Sequence, residues 1–296
     1  VSRATLHNQD FIDQLDVGIG DYVKVYKSGE IIPKIREVLK EKREAGVKRY
    51  HLPDTCPVCG TKTVREKDTA DIRCPSPDCP SQIERKIINF VSRDAMDLKG
   101  FGTVYIEELV RRGFIRNIAD IFVLKDHRSQ LIEEGIIGKE KNTDKLLDAI
   151  EQAKQRDACQ LLTGFGIPNV GKAAAKAVMK HFGTIEHLAS ASVEQLTQVP
   201  DIGTVSAECI RSFFADASNQ EMLKRLQDEG VNMARIEQAG ASERFAGMTF
   251  VITGTLPGLE RKQAAEIIEQ NGGKVSGSVS KKTTYLLAGE NAGSKL

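Results

Sequence analysis

From Ile83 to Leu226 apolar residues recur at spacings of three and four, broken by short glycine-marked interruptions and without strand-like alternation. That period predicts a long run of amphipathic helices. On either side the pattern changes. In "DYVKVYKSGEIIPKI" apolar and polar positions alternate on both sides of a Ser28-Gly29 turn, which predicts a β-hairpin. Val23, Val25 and Ile35 would face a small barrel, while the neighbours Ile31 and Ile32 cannot both point inward from one regular strand. Near the end, "MTFVITGTL" reads as a short apolar strand running into a Thr253-Gly254 turn, "RKQAAEIIEQNGG" as a helix closed by glycines, and "TTYLLAG" as another strand. This alternation predicts a small parallel α/β unit. The small, polar "EQAGASERFAG" before it reads as a linker.

Within the helical region one phrase recurs. "KGFGTVYIEEL", "PNVGKAAAKAV" and "PDIGTVSAECI" align on Gly102, Gly171 and Gly203, with Ile106, Ala175 or Ala207 at plus four and Leu109, Val178 or Ile210 at plus seven. The last two glycines lie 32 residues apart. A helix, a tight apolar hairpin and a second helix therefore repeat. Between Gly102 and Gly171, "EGIIGKEKNTDKLLDAI" is a worn copy: Lys139 falls at the glycine register, Gly138 one place early, and Thr143 and Leu146 keep the spacing. It reads as a packing member whose outer contact is in doubt.

The stretch "GIPNVGKA" is one substitution from the phosphate loop of nucleotide hydrolases, but Ala173 stands where a magnesium-binding hydroxyl belongs and "ACQLLTGF" before it reads as a helix end rather than a buried strand. The repeat accounts for the same residues differently. A glycine at each hairpin tip lets the backbone approach a ligand, and the following helix offers unpaired N–H groups and its positive dipole end to a phosphate. Thr103, Lys172 and Thr204, next in line, place a hydroxyl or ammonium near the same oxygen. A single copy is equally well a plain αα-hairpin; three in phase favour phosphate binding. Such contacts do not read bases, so binding would be insensitive to sequence and steeply dependent on salt.

Composition adds little: 40% hydrophobic, 28% charged and a net charge of +1 describe a chain with room for several small cores and give no global argument for a nucleic-acid partner. The six cysteines add more. Cys56 and Cys59 in "CPVCG" and Cys74 and Cys79 in "CPSPDC", with fourteen residues between the pairs, have the spacing of a structural four-thiolate zinc site, with two disulfides as the lesser alternative. Cys159 and Cys209 fit core packing. No long apolar run or charged leader is found, so a cytoplasmic protein without membrane contact is expected. Val1 in place of Met and the closing "GENAGSKL" suggest a fragment. For the isoleucine pair, a bulge packing both is slightly favoured over an exposed wedge entering a minor groove. Thr253, Gly254, Arg261 and Lys282 could receive a terminal phosphate, or Lys281 and Lys282 could be a solvated surface pair.

The opening "SRATLHN", the "GIGDYVKVYKSGEIIPKI" hairpin, the four cysteines, "FVSRDAMDLKGFG", "GIPNVG", "VPDIG", and the closing "VITGTLPG", "GSVSKKT" and "AGSKL" together resemble the C-terminal half of bacterial NAD-dependent DNA ligase across essentially the whole chain. The resemblance implies a multidomain α+β fold: the C-terminal part of an OB-fold (residues 1–50), a four-cysteine zinc finger (51–84), a helix-hairpin-helix DNA-binding domain (85–235), a linker (236–244) and an incomplete BRCT domain (245–296). It implies one structural Zn2+ per chain on Cys56, Cys59, Cys74 and Cys79. It implies DNA contacts at Arg3, Lys27, Ile31, Ile32, Gly100, Gly102, Gly171 and Gly203, to which the phosphate reading of the repeat adds Thr103, Lys172 and Thr204, and it shifts the reading of the isoleucines toward the groove. Thr253, Gly254, Arg261 and Lys282 resemble the phosphate pocket of BRCT relatives.

Two departures stand out: Lys27 replaces an arginine common in the family's loop, and the hairpin at Gly138 is out of register. No Lys-x-Asp-Gly occurs either. In that family this lysine takes AMP from NAD, and magnesium assists its transfer to a nick. The resemblance therefore implies that NAD+ and Mg2+ serve the full-length enzyme and not this fragment, which would grip nicked double-stranded DNA as a monomer, nucleoid-associated, beside an upstream adenylation domain, and would not seal it alone. The rivals are a non-enzymatic repair or recombination adaptor built from helix-hairpin-helix and BRCT modules, a nucleotide hydrolase, and a helical scaffold with no DNA role.

Overall fold

The computed structural model describes residues 1–27, 32–65, 70–236, 243–280 and 282–290. Two compact units divide the chain, Val1–Met233 and Ala234–Leu296.

The first unit opens with α1 (Gln9–Leu15), whose start is capped by the Asn8 side chain accepting from the Phe11 N–H at 3.0 Å. Strands β1 (Val23–Lys27) and β2 (Pro33–Val38) pair antiparallel. The register passes from Lys24 opposite Glu37 to Val25 opposite Ile35, so Arg36 is the extra residue of a bulge. Ile35 is buried, but Val25 is 40% exposed, against the expectation that both face a barrel interior. The described residues supply two strands here, and two strands do not close on themselves. The Ser28-Gly29 turn and Ile31 lie outside the described residues.

Arg43 fastens this segment. Its guanidinium donates twice to the Asp21 carboxylate at 2.7 Å, and also to the Asp16 carboxylate and backbone carbonyl. At Gly18 the Lys48 carbonyl would lie 2.2 Å from any Cβ, so only glycine fits. After it come the short strands β3 (Val64–Arg65) and β4 (Ile72–Arg73), an antiparallel pair within the cysteine-bearing segment.

The helical region contains α2 (Pro80–Val91), α3 (Thr103–Arg111), a 3-10 stretch (Ile118–His127), α4 (Arg128–Glu133), α5 (Glu140–Ala153), α6 (Ala158–Gly164), α7 (Lys172–Phe182), α8 (Ile185–Ser190), α9 (Val193–Thr197), α10 (Thr204–Ala215) and α11 (Ala217–Asp228). One continuous apolar core runs through it, from Ile87 to Val231. The pairs α2/α3, α4/α5, α6/α7 and α9/α10 pack as helix-hairpin-helix units. Gly102, Lys139, Gly171 and Gly203 are the N-caps of α3, α5, α7 and α10, so the sequence register holds in the worn copy too. The plus-four residues Ile106, Thr143, Ala175 and Ala207 and the plus-seven residues Leu109, Leu146, Val178 and Ile210 are all at most 2% exposed. That shared burial is the physical basis of the repeat: each second helix sinks the same two turns into the core.

The second unit has a three-stranded parallel sheet in the order β6-β5-β7, from β5 (Thr249–Thr253), β6 (Lys274–Ser276) and β7 (Tyr285–Ala288). Helix α12 (Arg261–Gln270) covers it with Ala264 and Ile268 against Ile252. β6 was not legible from the pattern, because three residues after a double glycine show no period. Among the described residues no helix is long and apolar enough to cross a membrane.

Candidate nucleic-acid interface and metal centre

The hairpins differ from ordinary helix connections in how they leave the next helix. Two residues before each of three N-caps the backbone turns left-handed, at Gly100 (φ 88°), Asn169 (φ 63°) and Asp201 (φ 66°). Asparagine and aspartate tolerate that conformation better than other residues with a side chain. The next residues, Phe101, Val170 and Ile202, are buried and anchor the turn. Then come Gly102, Gly171 and Gly203, all in extended conformation that any residue adopts. A Cβ at any of these three would meet nothing within 4 Å beyond its chain neighbours. Neither backbone strain nor internal packing therefore requires glycine there. What the missing side chain does is leave the helix end open.

That end is also chemically unsatisfied. The first N–H groups of a helix have no partner in the helix itself and are normally met by a capping side chain. Here α6, α8, α9 and α11 conform, with Asp157, Thr184, Ser192 and Asp216 accepting from the first turn. By contrast α3, α7 and α10 have no side-chain cap and no acidic residue in the first turn. Among the described helices they alone combine these features with a glycine N-cap. Thr103 and Thr204 are exposed beside them. So is Lys172, its Nζ 3.4 Å from the Asp94 carboxylate in a solvent-facing pair of the kind that contributes little.

The hairpin before α5 is built otherwise. Its left-handed residue, Gly138 (φ 100°), stands one place before the N-cap instead of two, its cap is Lys139, and its first turn carries Glu140. Arg128 donates to Glu140 at 2.8 Å and to Asp144 at 2.6 and 2.9 Å. An acid already occupies this helix's positive end.

At the β-hairpin, Lys27 ends β1 opposite Pro33, and both Lys27 and Arg3 are exposed. Ile32 is 57% exposed, while Ile31 lies outside the described residues. Pattern reasoning passed over two further residues, Val104 and Val205, exposed at the second position of α3 and α10. Their register against the glycines was visible in the sequence; their exposure was not.

The four cysteine sulfurs lie within 4.8 Å of one another. Cys56 and Cys79 Sγ are 3.9 Å apart, and Cys59 and Cys74 Sγ 3.5 Å. Thiolates on a tetrahedral zinc at about 2.3 Å stand about 3.8 Å from each other, so this group fits the ion. Local backbone aims them. Gly60 (φ 72°) closes the first knuckle, where its N–H meets the Cys56 carbonyl at 2.9 Å. Cys79 is the N-cap of α2, its sulfur at the helix's positive end. The Thr61 hydroxyl and amide pull the Cys59 thiol down to about 6. The Ser76 amide pulls the same way on Cys74, but burial and the neighbouring thiols outweigh it and push that thiol up to about 12. Burial raises Cys79 as well. One thiolate forms easily and the next are opposed by it, which is the electrostatics of a site built around a cation. Cys159 and Cys209 pack partly buried against the helical core.

In the second unit Thr253 is buried at the end of β5. Gly254 (φ 75°) has the Glu290 carbonyl 2.6 Å from where a Cβ would stand, and Arg261 donates to the Ile252 carbonyl at 2.8 Å. Lys282 is exposed. Internal packing thus accounts for Gly254 and Arg261 without a ligand. Lys281 lies outside the described residues.

A four-thiolate metal module running into stacked helix-hairpin-helix units defines a multidomain protein of the nucleic-acid-binding kind. Comparison with known proteins agrees. Residues 1–47 match the family model for the NAD-dependent DNA ligase OB-fold domain, residues 55–80 the NAD-dependent DNA ligase C4 zinc finger domain, residues 160–223 the helix-hairpin-helix motif, and residues 240–296 the BRCA1 C Terminus (BRCT) domain. The chain is 51% identical over 297 residues to a DNA ligase of Clostridium kluyveri, matched along all of this chain and 45% of the relative. It is 46% identical to one from Thermoanaerobacter sp. (strain X514) and 43% to one from Acetivibrio thermocellus, covering 44% and 45% of them. Residues 1–47 and 55–80 thus match domains of NAD-dependent DNA ligases, and the chain spans somewhat less than half the length of the curated DNA ligases it matches.

Proposed function

We propose that these residues are the DNA-holding half of an NAD-dependent DNA ligase and grip nicked double-stranded DNA through its sugar-phosphate backbone without reading sequence. The observation that carries the reading is the threefold recurrence of a glycine-capped helix start, uncapped and free of acid, at α3, α7 and α10. Each presents main-chain N–H groups and the positive end of a helix dipole to a phosphate, and no Cβ holds the phosphate off. Thr103, Lys172 and Thr204 add a hydroxyl or ammonium beside it. Gly100 serves the turn that brings Gly102 forward. Lys27 and Arg3 extend the cationic contact along the β-hairpin, and Ile32, with Ile31, enters the minor groove next to the nick. The zinc module fixes the start of α2 and so the orientation of the helical region that follows. The hairpin before α5 packs and does not touch DNA, because Glu140 would face the phosphate.

The wider protein seals single-strand nicks in replication and repair. There a lysine outside these residues would take AMP from NAD+ with release of nicotinamide mononucleotide and pass it to the 5′ phosphate, and Mg2+ would supply charge neutralisation. Residues 1–296 hold the ends of the nick in place for that chemistry.

Substitution of Gly102, Gly171 and Gly203 together by aspartate tests this. Aspartate caps helices well, so the triple variant should melt no lower than the parent. Its carboxylates occupy the same N–H groups and repel phosphate, so retention of a labelled nicked duplex in fluorescence anisotropy should fall at least about a hundredfold, at about 1.4 kcal/mol per factor of ten. Undiminished binding in a folded triple variant would remove the backbone-amide grip. Binding that depends on duplex sequence would contradict the reading as well.

A further inference from the structure

The first and fourth hairpins continue identically after their glycines, as Gly102-Thr103-Val104 and Gly203-Thr204-Val205. Val104 is 71% exposed and Val205 64%. Both stand at the second position of a helix, where a β-branched side chain lowers helix propensity and where its methyl groups here remain in water. The third hairpin has Ala173 at this register and the second Lys141. The valines therefore accompany the Gly-Thr turns only. Side chains in a helix lean toward its N-terminus, the same direction in which the unpaired N–H groups of the first turn point. A phosphate seated on those groups would carry its attached sugar toward the valine.

We propose that Val104 and Val205 are apolar contacts to the sugar face of the DNA backbone and select deoxyribose over ribose. This rests on the phosphate grip described above. In RNA the minor-groove side of the backbone displays the 2′-hydroxyl. Pressed against valine methyls that hydroxyl loses its water and gains no partner, whereas the C–H face of deoxyribose loses nothing. The contact is the same at every base, so it discriminates sugar without discriminating sequence. Val104 also borders a groove of about 530 Å³ with Glu84, Glu107, Val110 and Ile136. The Arg111 guanidinium shares that groove with the carboxylates, so charge of both signs lies near Val104 and Val205 is the cleaner probe.

Val205→Thr and, separately, Val104→Thr keep the side-chain shape and exchange one methyl for a hydroxyl. Anisotropy titrations would compare an all-DNA nicked duplex with a duplex of the same sequence carrying one RNA strand. The preference for DNA should shrink about fivefold in Val205→Thr, the size of one stranded hydroxyl regaining a partner. Melting and the slope of log affinity on log salt should keep their parent values, since no phosphate charge changes hands. Variants with the parent's affinities for both duplexes would overturn the sugar contact while leaving the grip in place. A parent chain that retains neither duplex would overturn both.

Discussion

Single glycines in this protein serve two opposite purposes, and substitution separates them. At Gly164 a Cβ would stand 2.7 Å from the Phe90 ring, inside a closed core. Gly164→Ala should therefore lower stability by about 1–3 kcal/mol, the ordinary effect of overpacking, as read by denaturant unfolding. At Gly171 an added methyl meets open space in an ordinary backbone conformation, so Gly171→Ala should change stability by less than about 1 kcal/mol and weaken DNA binding in anisotropy. The repeat marked Gly171 in the sequence, whereas nothing in the sequence pattern marked Gly164 as packed. Titration adds another prediction at this scale. The Arg43 guanidinium beside Asp21 holds that carboxyl below the usual range, and Lys40, Arg49 and Arg43 do the same for Asp16. Depressed carboxyls stabilise the fold above their unfolded pKa near about 4, and that contribution is lost as pH falls through their folded values. Melting temperature should thus drop steeply below about pH 4, and Arg43→Met, which removes the shared cation, should flatten that part of the profile. An Arg43→Met profile as steep as the parent's would dissociate Asp21 from acid stability, since Asp16 keeps Lys40 and Arg49.

At the scale of elements the zinc module is the part whose order depends on something other than apolar burial. Val64–Arg65 and Ile72–Arg73 are two-residue strands with little core between them. Such a segment is held mainly by its ligands, with apparent zinc binding of about 10–16 kcal/mol at neutral pH in comparable modules. Metal analysis should find one zinc per chain, and Cys59→Ser should bring that near zero. Hydrogen exchange in the same variant should show lost protection over residues 55–80 while the core from Ile87 to Val231 keeps its own. The hairpins were more legible than this module's fold, because the plus-four and plus-seven residues repeat in phase and sink to the same depth. Two elements escaped the pattern for physical reasons. Strand β6 is too short to show a period, and Val25 alternates correctly yet has no layer above it among the described residues.

On the scale of the whole molecule, DNA retention should carry the mark of its mechanism. Lys172→Ala removes one cation near a phosphate and should reduce the salt slope by about one. An unchanged slope would place Lys172 with its solvent-facing partner Asp94 rather than on DNA. The sequence by itself determined the order of modules, the four zinc-spaced cysteines and the phase of the hairpins, because each depends on residue type at fixed separation along one chain. Which glycines are open and which are packed, which helix starts lack a cap, that Glu140 and Arg128 fill the start of α5, and that Val104 and Val205 stand in water were decided only by the tertiary structure. Those are questions of what else occupies the space around an atom, and residue type at fixed separation does not answer them, as Phe90 against Gly164 shows.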